Sequence, residues 1–456
     1  MDALPYKRRR RPADDTTTVT EDGAALTFAA YFSDRLRYDH DTATWYEWTG
    51  SHWRPNKTKI AFHWARELAR ELAASTAGKA AAAVRKTSFA AGVERFVQAD
   101  PEIAVTSEIW DADPFLLGTP GGTVDLRNGS LIEAHPADHI TKLTAVAPSL
   151  TADCPLWLRF LDETTGADAG MVRFLQQWCG YCLSGDIREH ALVFVHGSGG
   201  NGKSVFMNTV AGIMADYATT APMDTFTASV GDRHPTELAM LRGARLVTAS
   251  ETEEGRPWAE SRIKSLTGGD PIAARFMRCD FFTYRPTFKL MIVGNHQPQL
   301  RNVDDAARRR FNIVPFTRKP AAPDSELEAK LKGDWPAILR WMIDGYLDWQ
   351  ANGLVRPASV LDATAGYFTD QDLVAQWLAD ECDCEPGNQY KWEATKTLFD
   401  SWAAYAKAAG EHPGSIRTFK PTMLRHGLTE RRTAGARGIE GVRLKLNRAA
   451  GMTDDR

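Results

Sequence analysis

Residues 197–204 read Gly-Ser-Gly-Gly-Asn-Gly-Lys-Ser, directly after the apolar run Leu192-Val193-Phe194-Val195. A short apolar strand, a glycine-rich turn and a helical run from Ser204 to Met214 form a tightly constrained unit. It belongs in an α/β layer, with the turn at the carboxyl edge of a parallel sheet. Gly197, Gly199, Gly200 and Gly202 let the backbone curl so that N–H groups face an anion, with Ser198 and Asn201 between them. The helix adds its positive N-terminal end. In this pattern Lys203 reaches the β- and γ-phosphates of a nucleotide and Ser204 ligates Mg²⁺.

A phosphoryl-transfer site needs further parts: an acid near Mg²⁺, a group that orients water, a polar contact to the γ-phosphate, and often an arginine from a neighbour. Each has a candidate, in order along the chain. The run Arg245–Ser250 reads as a strand ending at Glu251, with Glu253 and Glu254 close behind. Strand-end acids sit where ligands bind in such sheets, so Glu251 is the first candidate for Mg²⁺. Sequence does not decide which of these acids is the general base. A second strand, Phe288–Gly294, ends at Asn295, whose amide is suited to the γ-phosphate or the attacking water. Between these strands, Lys264, Arg275 and Arg278 lie in a basic and aromatic insert with an expected hairpin near Phe281, Phe282 and Tyr284. Such a hairpin suits either a nucleic-acid strand or a plain surface turn. Arg308, Arg309 and Arg310 follow two acids and precede the strand Ile313–Phe316. They suit a subunit interface, where an arginine stabilises charge in a neighbour's site, or a solvated basic turn.

The remaining chain frames this core. Its 456 residues carry a net charge of −3, so a nucleic-acid surface has to be a local patch. No apolar run is long enough to cross a bilayer, and no signal peptide is expected. Residues 1–23 read as a disordered basic arm, suited either to a nucleic-acid backbone or to plain solvation. Residues 24–185 read as an α+β unit, with a helix at 24–36, a hairpin around Trp45, Tyr46, Trp48 and Trp53, a long helical stretch at 60–97, and short strands from 111 to 146. The hairpin aromatics read first as a small core and second as a stacking platform for bases. Residues 186–322 alternate strands and helices, and 323–385 are helical. The tail at 386–448 reads as two helices and a basic hairpin, a winged-helix-like module whose arginines suit phosphate contacts first and a solvated protein-docking surface second. Cys179-x-x-Cys182 and Cys382-x-Cys384 have no partner pair at a zinc spacing, so reduced core thiols are expected.

Five motifs in order carry a resemblance. They are the glycine-rich loop, Ser-Glu-Thr-Glu-Glu-Gly at 250–255, Ile-Lys-x-Leu-Thr-Gly-Gly-Asp at 263–270, Lys-Leu-x-x-x-x-Asn-x-x-Pro at 289–298, and Arg-Arg-x-x-x-x-Pro-Phe at 309–316. This series resembles the superfamily 3 helicases, and within them the phage and plasmid primase-helicases related to the poxvirus primase-helicase. The Trp-Tyr-x-Trp-x-Gly-x-x-Trp run at 45–53 and Gly-Tyr-Cys-Leu-Ser-Gly at 180–185 are similar to that group's accessory domain.

The resemblance implies an AAA+-like P-loop ATPase core that binds ATP and Mg²⁺, forms a hexameric ring and moves 3′ to 5′ on single-stranded DNA. Carried over by position, Glu251 matches the acid of the second motif and Asn295 the sensor. Arg310 best matches the trans-acting arginine, with Arg309 next to it, and Lys264 to Arg278 lead into a DNA-gripping hairpin. The relatives' primase-polymerase domain has no counterpart among the roughly 190 residues before the loop, so primer synthesis by this chain alone is not expected, and a separate primase or other replication proteins are the expected partners. A cytoplasmic protein of phage or plasmid replication, acting on single-stranded and forked DNA without a membrane, follows from the resemblance. Two other readings stay open: an ATPase that packages or loads DNA without unwinding it, and an origin-binding initiator or scaffold whose assembly ATP controls.

Overall fold

The computed structural model describes residues 19–228, 236–250, 257–300, 304–320, 322–409, 412–432 and 435–445. The fold is mixed α/β. At its centre is a five-stranded sheet in which every pairing is parallel. Across the sheet the strands run Phe311–Pro315, Leu192–His196, Lys289–Gly294, Leu246–Ser250 and Ala218–Thr220. Their near-continuous apolar sequences follow from burial on both faces. Val193, Val195, Met291, Val293 and Val314 enter one core. Leu192, Phe194, Leu290, Ile292 and Ile313, one residue out of phase, enter the other.

The first core is covered by the helices Pro155–Thr165, Ala169–Leu183, Lys203–Met214 and Leu327–Asn352. Two of these helices meet backbone to backbone. A Cβ on Gly180 would stand 2.2 Å from the Tyr346 nitrogen, and one on Gly345 would stand 2.2 Å from the Gln176 carbonyl oxygen. The same core takes in Leu117, Val124 and Leu126 from the short strands before it. It therefore runs across both sequence boundaries expected at 185/186 and 322/323. The helices Glu260–Gly268 and Ala358–Gln371 cover the other face with Ile263, Leu266, Tyr367 and Phe368.

The amino edge of the sheet is fastened to the end of the helix Ala169–Leu183 by two buried cations. Arg245 donates to the carbonyls of Leu183 at 2.6 Å and Leu116 at 2.7 Å. Lys289 Nζ donates to the carbonyls of Ser184, of Asp186 at 3.2 Å and of Thr287 at 3.4 Å. Helix C-termini leave carbonyls without intrahelical donors, and these side chains supply them.

A separate N-terminal core is built from the helices Glu21–Phe32, Ile60–Ala74, Gly78–Val84 and Thr87–Val97, against a sheet that includes Leu36–Asp39 and Thr44–Trp48. The single helical stretch expected at 60–97 is three helices. The Ser75 and Thr76 hydroxyls bond back to the Leu72 carbonyl, and Gly78 takes φ +62°, which ends the first helix. Trp45 and Trp53 are buried, and Tyr46 stacks on Trp110 at 4.4 Å, so this aromatic set is chiefly core. Four of the six cysteines, Cys154, Cys179, Cys182 and Cys382, are buried, while Cys279 and Cys384 are exposed rather than core thiols.

After the helix Leu373–Glu381, the tail runs through the strand Trp392–Ala394, the helices Thr395–Ala408 and Ile416–Arg425, and the hairpin Thr429–Arg432 with Arg437–Glu440. Arg437–Glu440 lies in the middle of a three-stranded sheet. The expected final strand at Val442 does not extend that hairpin. Gly441, at φ +87°, turns the chain, and Val442–Leu444 pairs antiparallel with Cys382–Cys384. Residues 1–18 lie outside the described residues; Thr20 already caps the first helix, by accepting from the Gly23 N–H. Among the described residues, no helix is long and apolar enough to cross a membrane.

Candidate functional site

The glycine-rich loop leaves the carboxyl end of the strand Leu192–His196 and enters the helix Lys203–Met214. Two glycines are there because neighbours leave no room for a side chain. A Cβ at Gly197 would stand 2.1 Å from the Phe316 carbonyl oxygen, and one at Gly202 would stand 2.6 Å from the Phe160 ring. Gly202 also caps the helix at φ +81°, a conformation that an L side chain rarely adopts. Ser198 and Ser204 are exposed at the mouth of the loop, and Asn201 is buried beneath it.

Lys203 lies along the loop. Its Nζ donates to the Gly197 carbonyl at 2.6 Å, to Asn201 Oδ1 at 3.1 Å and to Asn295 Oδ1 at 3.0 Å. Burial pushes its pKa down. All three of these acceptors are neutral, so among the described residues no carboxylate cancels the ammonium charge. Asn201 works in two directions: its Oδ1 accepts from Lys203, and its Nδ2 donates to the Phe316 carbonyl at 2.5 Å.

Asn295 reaches Lys203 because of strand order. Gly294 is in register with His196, so the residue after the strand end stands beside Gly197. The next strand over, Leu246–Ser250, ends level with it, Ser250 being in register with Val293. Glu251 and Glu253, the expected acids, lie outside the described residues, as does Glu254. His196, at the loop's first step, has its pKa lowered by burial and hydrogen-bonds the Asn295 backbone.

The arginine run stands at the opposite edge of the sheet. Phe311 pairs with Leu192 and Pro315 with His196. That separation of four residues is roughly 13 Å, well beyond an arginine's reach to the loop of its own chain. Arg310 is buried. Its Nε donates to Thr267 Oγ1 at 3.2 Å and its Nη1 to the Ala306 carbonyl at 2.7 Å. Burial, with the Arg309 charge next to it, lowers its pKa. Arg309 is exposed. Of the two arginines expected to reach a neighbour, Arg309 is exposed and Arg310 is held by contacts within its own chain.

Lys264 does not sit at the hairpin tip. It pairs with Asp304 at 2.5 Å, and Asp304 caps the short helix Asp305–Arg308 that carries the arginines. The expected hairpin is present as Ile272–Ala274 with Phe282–Tyr284. Its connecting loop exposes Phe276, Met277 and Phe281. Arg275 lies over the Phe281 ring at 4.7 Å, and Arg278 is exposed with φ +62°. In the tail, Lys420 and Arg431 are paired with Glu430 and Glu440, while Arg417, Arg432, Arg437 and Arg443 are exposed.

Residues 25–166 match the family described as D5 N terminal like, and residues 195–310 match a family of unknown function, DUF5906. "Putative helicase 022R" of Frog virus 3 (isolate Goorha) is 24% identical over 280 residues, which covers 57% of this chain and 28% of that protein. "Putative helicase L207/L206" of Acanthamoeba polyphaga mimivirus is 26% identical over 298 residues, covering 59% of this chain and 31% of that protein. The chain thus spans less than a third of the length of these relatives. Among solved structures, the apo C-terminal region of NrS-1 is similar at a TM-score of 0.49 and 11% identity, covering 89% of this chain and 96% of that one. The D5 N terminal like match and the viral helicase homologues bear out the resemblance to the D5-related primase-helicases.

Proposed function

We propose that this relative of the D5-like viral helicases is an ATP-driven motor on DNA. The observation that carries the reading is the contact between Lys203 and Asn295, which joins the glycine-rich loop to the end of the adjacent parallel strand at 3.0 Å. A charged donor and a neutral amide meet where the β- and γ-phosphates of ATP would lie. Ser204 and Glu251 would hold Mg²⁺, and Glu251 or one of the acids that follow it, Glu253 or Glu254, would activate water. ATP and Mg²⁺ are the proposed ligands. The loop's geometry fits them through its buried lysine, its serine at the helix N-terminus and its close-approach glycines.

In this reading the core is an AAA+-like ATPase, and the chain works as a ring, hexameric in the resembling family. Arg309 at the far edge of the sheet completes a neighbour's site, and Arg310 holds the Arg309 segment in place through Thr267. The hairpin with Arg275, Phe276 and Arg278 grips single-stranded DNA by stacking and charge. The helix–strand–helix–helix–hairpin order of the tail suits a winged-helix module that meets forked DNA.

The test is steady-state ATP hydrolysis with and without single-stranded DNA. The wild type is expected to hydrolyse ATP faster when DNA is present, and Lys203→Ala to be inactive in both conditions. Hydrolysis indifferent to DNA would favour an ATPase whose nucleotide controls assembly only.

A further inference from the structure

The strand that feeds the loop has a neighbour on each side. One neighbour brings Asn295, whose Oδ1 lies 4.0 Å from the Cβ position of Gly199. The other neighbour, Phe311–Pro315, ends in register with His196 and continues as Phe316-Thr317-Arg318-Lys319. This continuation is fastened to the loop. The Phe316 N–H donates to the His196 carbonyl at 2.7 Å, and the Phe316 carbonyl accepts from Asn201. Three residues later, Lys319 Cε lies 4.0 Å from the Cβ position of Gly200. Lys319 is exposed, and no hydrogen bond or ion pair holds its ammonium among the described residues.

We propose that Lys319 is a second phosphate-binding cation of this site, closing on the nucleotide's polyphosphate from the flank opposite Asn295. The inference rests on the reading of the loop as a nucleotide site and adds a residue to it. Two ammonium groups border one loop, and among the described residues only neutral oxygens face Lys203. A ligand carrying several negative charges relieves both at once, whereas a neutral ligand relieves neither. The Phe316 tether fixes where the lysine stem starts, so little backbone ordering remains to be done on binding. The same tether passes through Asn201, which also holds Lys203. Both cations are therefore positioned by one buried amide.

The test is equilibrium binding of Mg-ATP, Mg-ADP and AMP to the full chain, comparing wild type, Lys203→Ala, Lys319→Ala, Lys319→Gln and Lys319→Arg. Thermal melting of each variant is measured alongside. Loss of one charge-assisted contact is expected to weaken ATP and ADP by roughly tenfold to a hundredfold in Lys319→Ala and Lys319→Gln, with an unchanged melting temperature. Lys319→Arg should recover most of the affinity. A wild type that binds neither ATP nor ADP would overturn the nucleotide reading, and this inference with it. A wild type that binds, a Lys203→Ala that does not, and Lys319 variants equal to wild type would overturn this inference alone.

Discussion

Lys203 Nζ and Asn295 Oδ1, 92 residues apart in sequence, lie 3.0 Å from each other at the carboxyl edge of the central sheet. The contact exists because the Lys289–Gly294 strand is inserted beside the loop strand and not farther along the sheet. On the proposed ATPase reading, replacing Asn295 by Ala removes the polar group expected to meet the transferring phosphoryl and leaves the loop itself intact. We expect the ATP turnover number to fall about 10²- to 10³-fold, with a much smaller change in ATP affinity. Steady-state kinetics beside equilibrium binding separates the two.

Arg309 and Arg310 are expected to behave differently although they are adjacent. Arg310→Ala loses the bonds to Thr267 and Ala306 and should lower stability by about 1–3 kcal/mol. Arg309→Ala should melt like the wild type and still fail to hydrolyse ATP. Mixing Arg309→Ala with Lys203→Ala subunits should restore part of the hydrolysis, because some interfaces then pair an intact loop with an intact arginine. No rescue at any mixing ratio would place Arg309 outside a neighbour's site.

Gly180 and Gly345 set the distance between the two longest-packed helices of the main core. A methyl group on Gly180 meets the Tyr346 nitrogen and the Met342 carbonyl, which are backbone atoms that cannot rotate away. Gly180→Ala should therefore cost about 1–3 kcal/mol or more, seen as a lower melting temperature. Gly333→Ala, on the same long helix with open space around its Cβ position, should be neutral or stabilising.

Burial pushes Lys289 down to about 7 from an ordinary value of 10.5. The sign follows from proton counting. Between pH 7 and 10.5 the unfolded chain holds a proton that the native chain has released, so native stability from this group rises with pH across that window. Below pH 7 both states are protonated and the burial penalty is at its full, constant value. Lys289→Met removes the titration. The stability difference, wild type minus Lys289→Met, should grow in favour of the wild type as the pH rises from 7 to 10, measured by urea unfolding at several pH values. A difference that is flat with pH would mean that the carbonyls of Ser184, Asp186 and Thr287 keep the lysine charged throughout.

Arg278 at the hairpin tip is exposed and carries no ion pair among the described residues. If it meets a phosphate, Arg278→Ala should weaken single-stranded DNA binding uniformly across sequences. The slope of log affinity against log salt should become shallower by about 0.7. Fluorescence titrations at several salt concentrations measure this directly.

The loop, its flanking strand and helix, and the strand ending at Asn295 were legible from residues alone, because apolar runs ending in glycine or amide leave few alternatives. Asn201 and Lys319 show what was not. Asn201 reads from the sequence as one residue of the nucleotide-binding loop; that it also ties Lys203 to Phe316 becomes visible only once the strand Phe311–Pro315 is known to pair with the loop strand. Lys319 carries no local pattern at all; its position is set by that same pairing. Arg310 was preferred over Arg309 by motif position, but burial, which one sequence does not report for adjacent arginines, separates them. The boundaries at 185 and 322 followed changes in texture, whereas Trp157, Phe174 and Trp341 share one core with the sheet. The backbone contact of Gly180 with Tyr346 likewise needed the third dimension.

The central claim is that hydrolysis at the Lys203 loop does work on DNA. Its most direct measurement is ATP-dependent strand displacement on duplexes carrying a single-stranded tail at either the 3′ or the 5′ end, with wild type and Lys203→Ala side by side. The expected result is displacement of the 3′-tailed duplex by wild type only. ATP hydrolysis stimulated by single-stranded DNA, with neither duplex displaced, would contradict it.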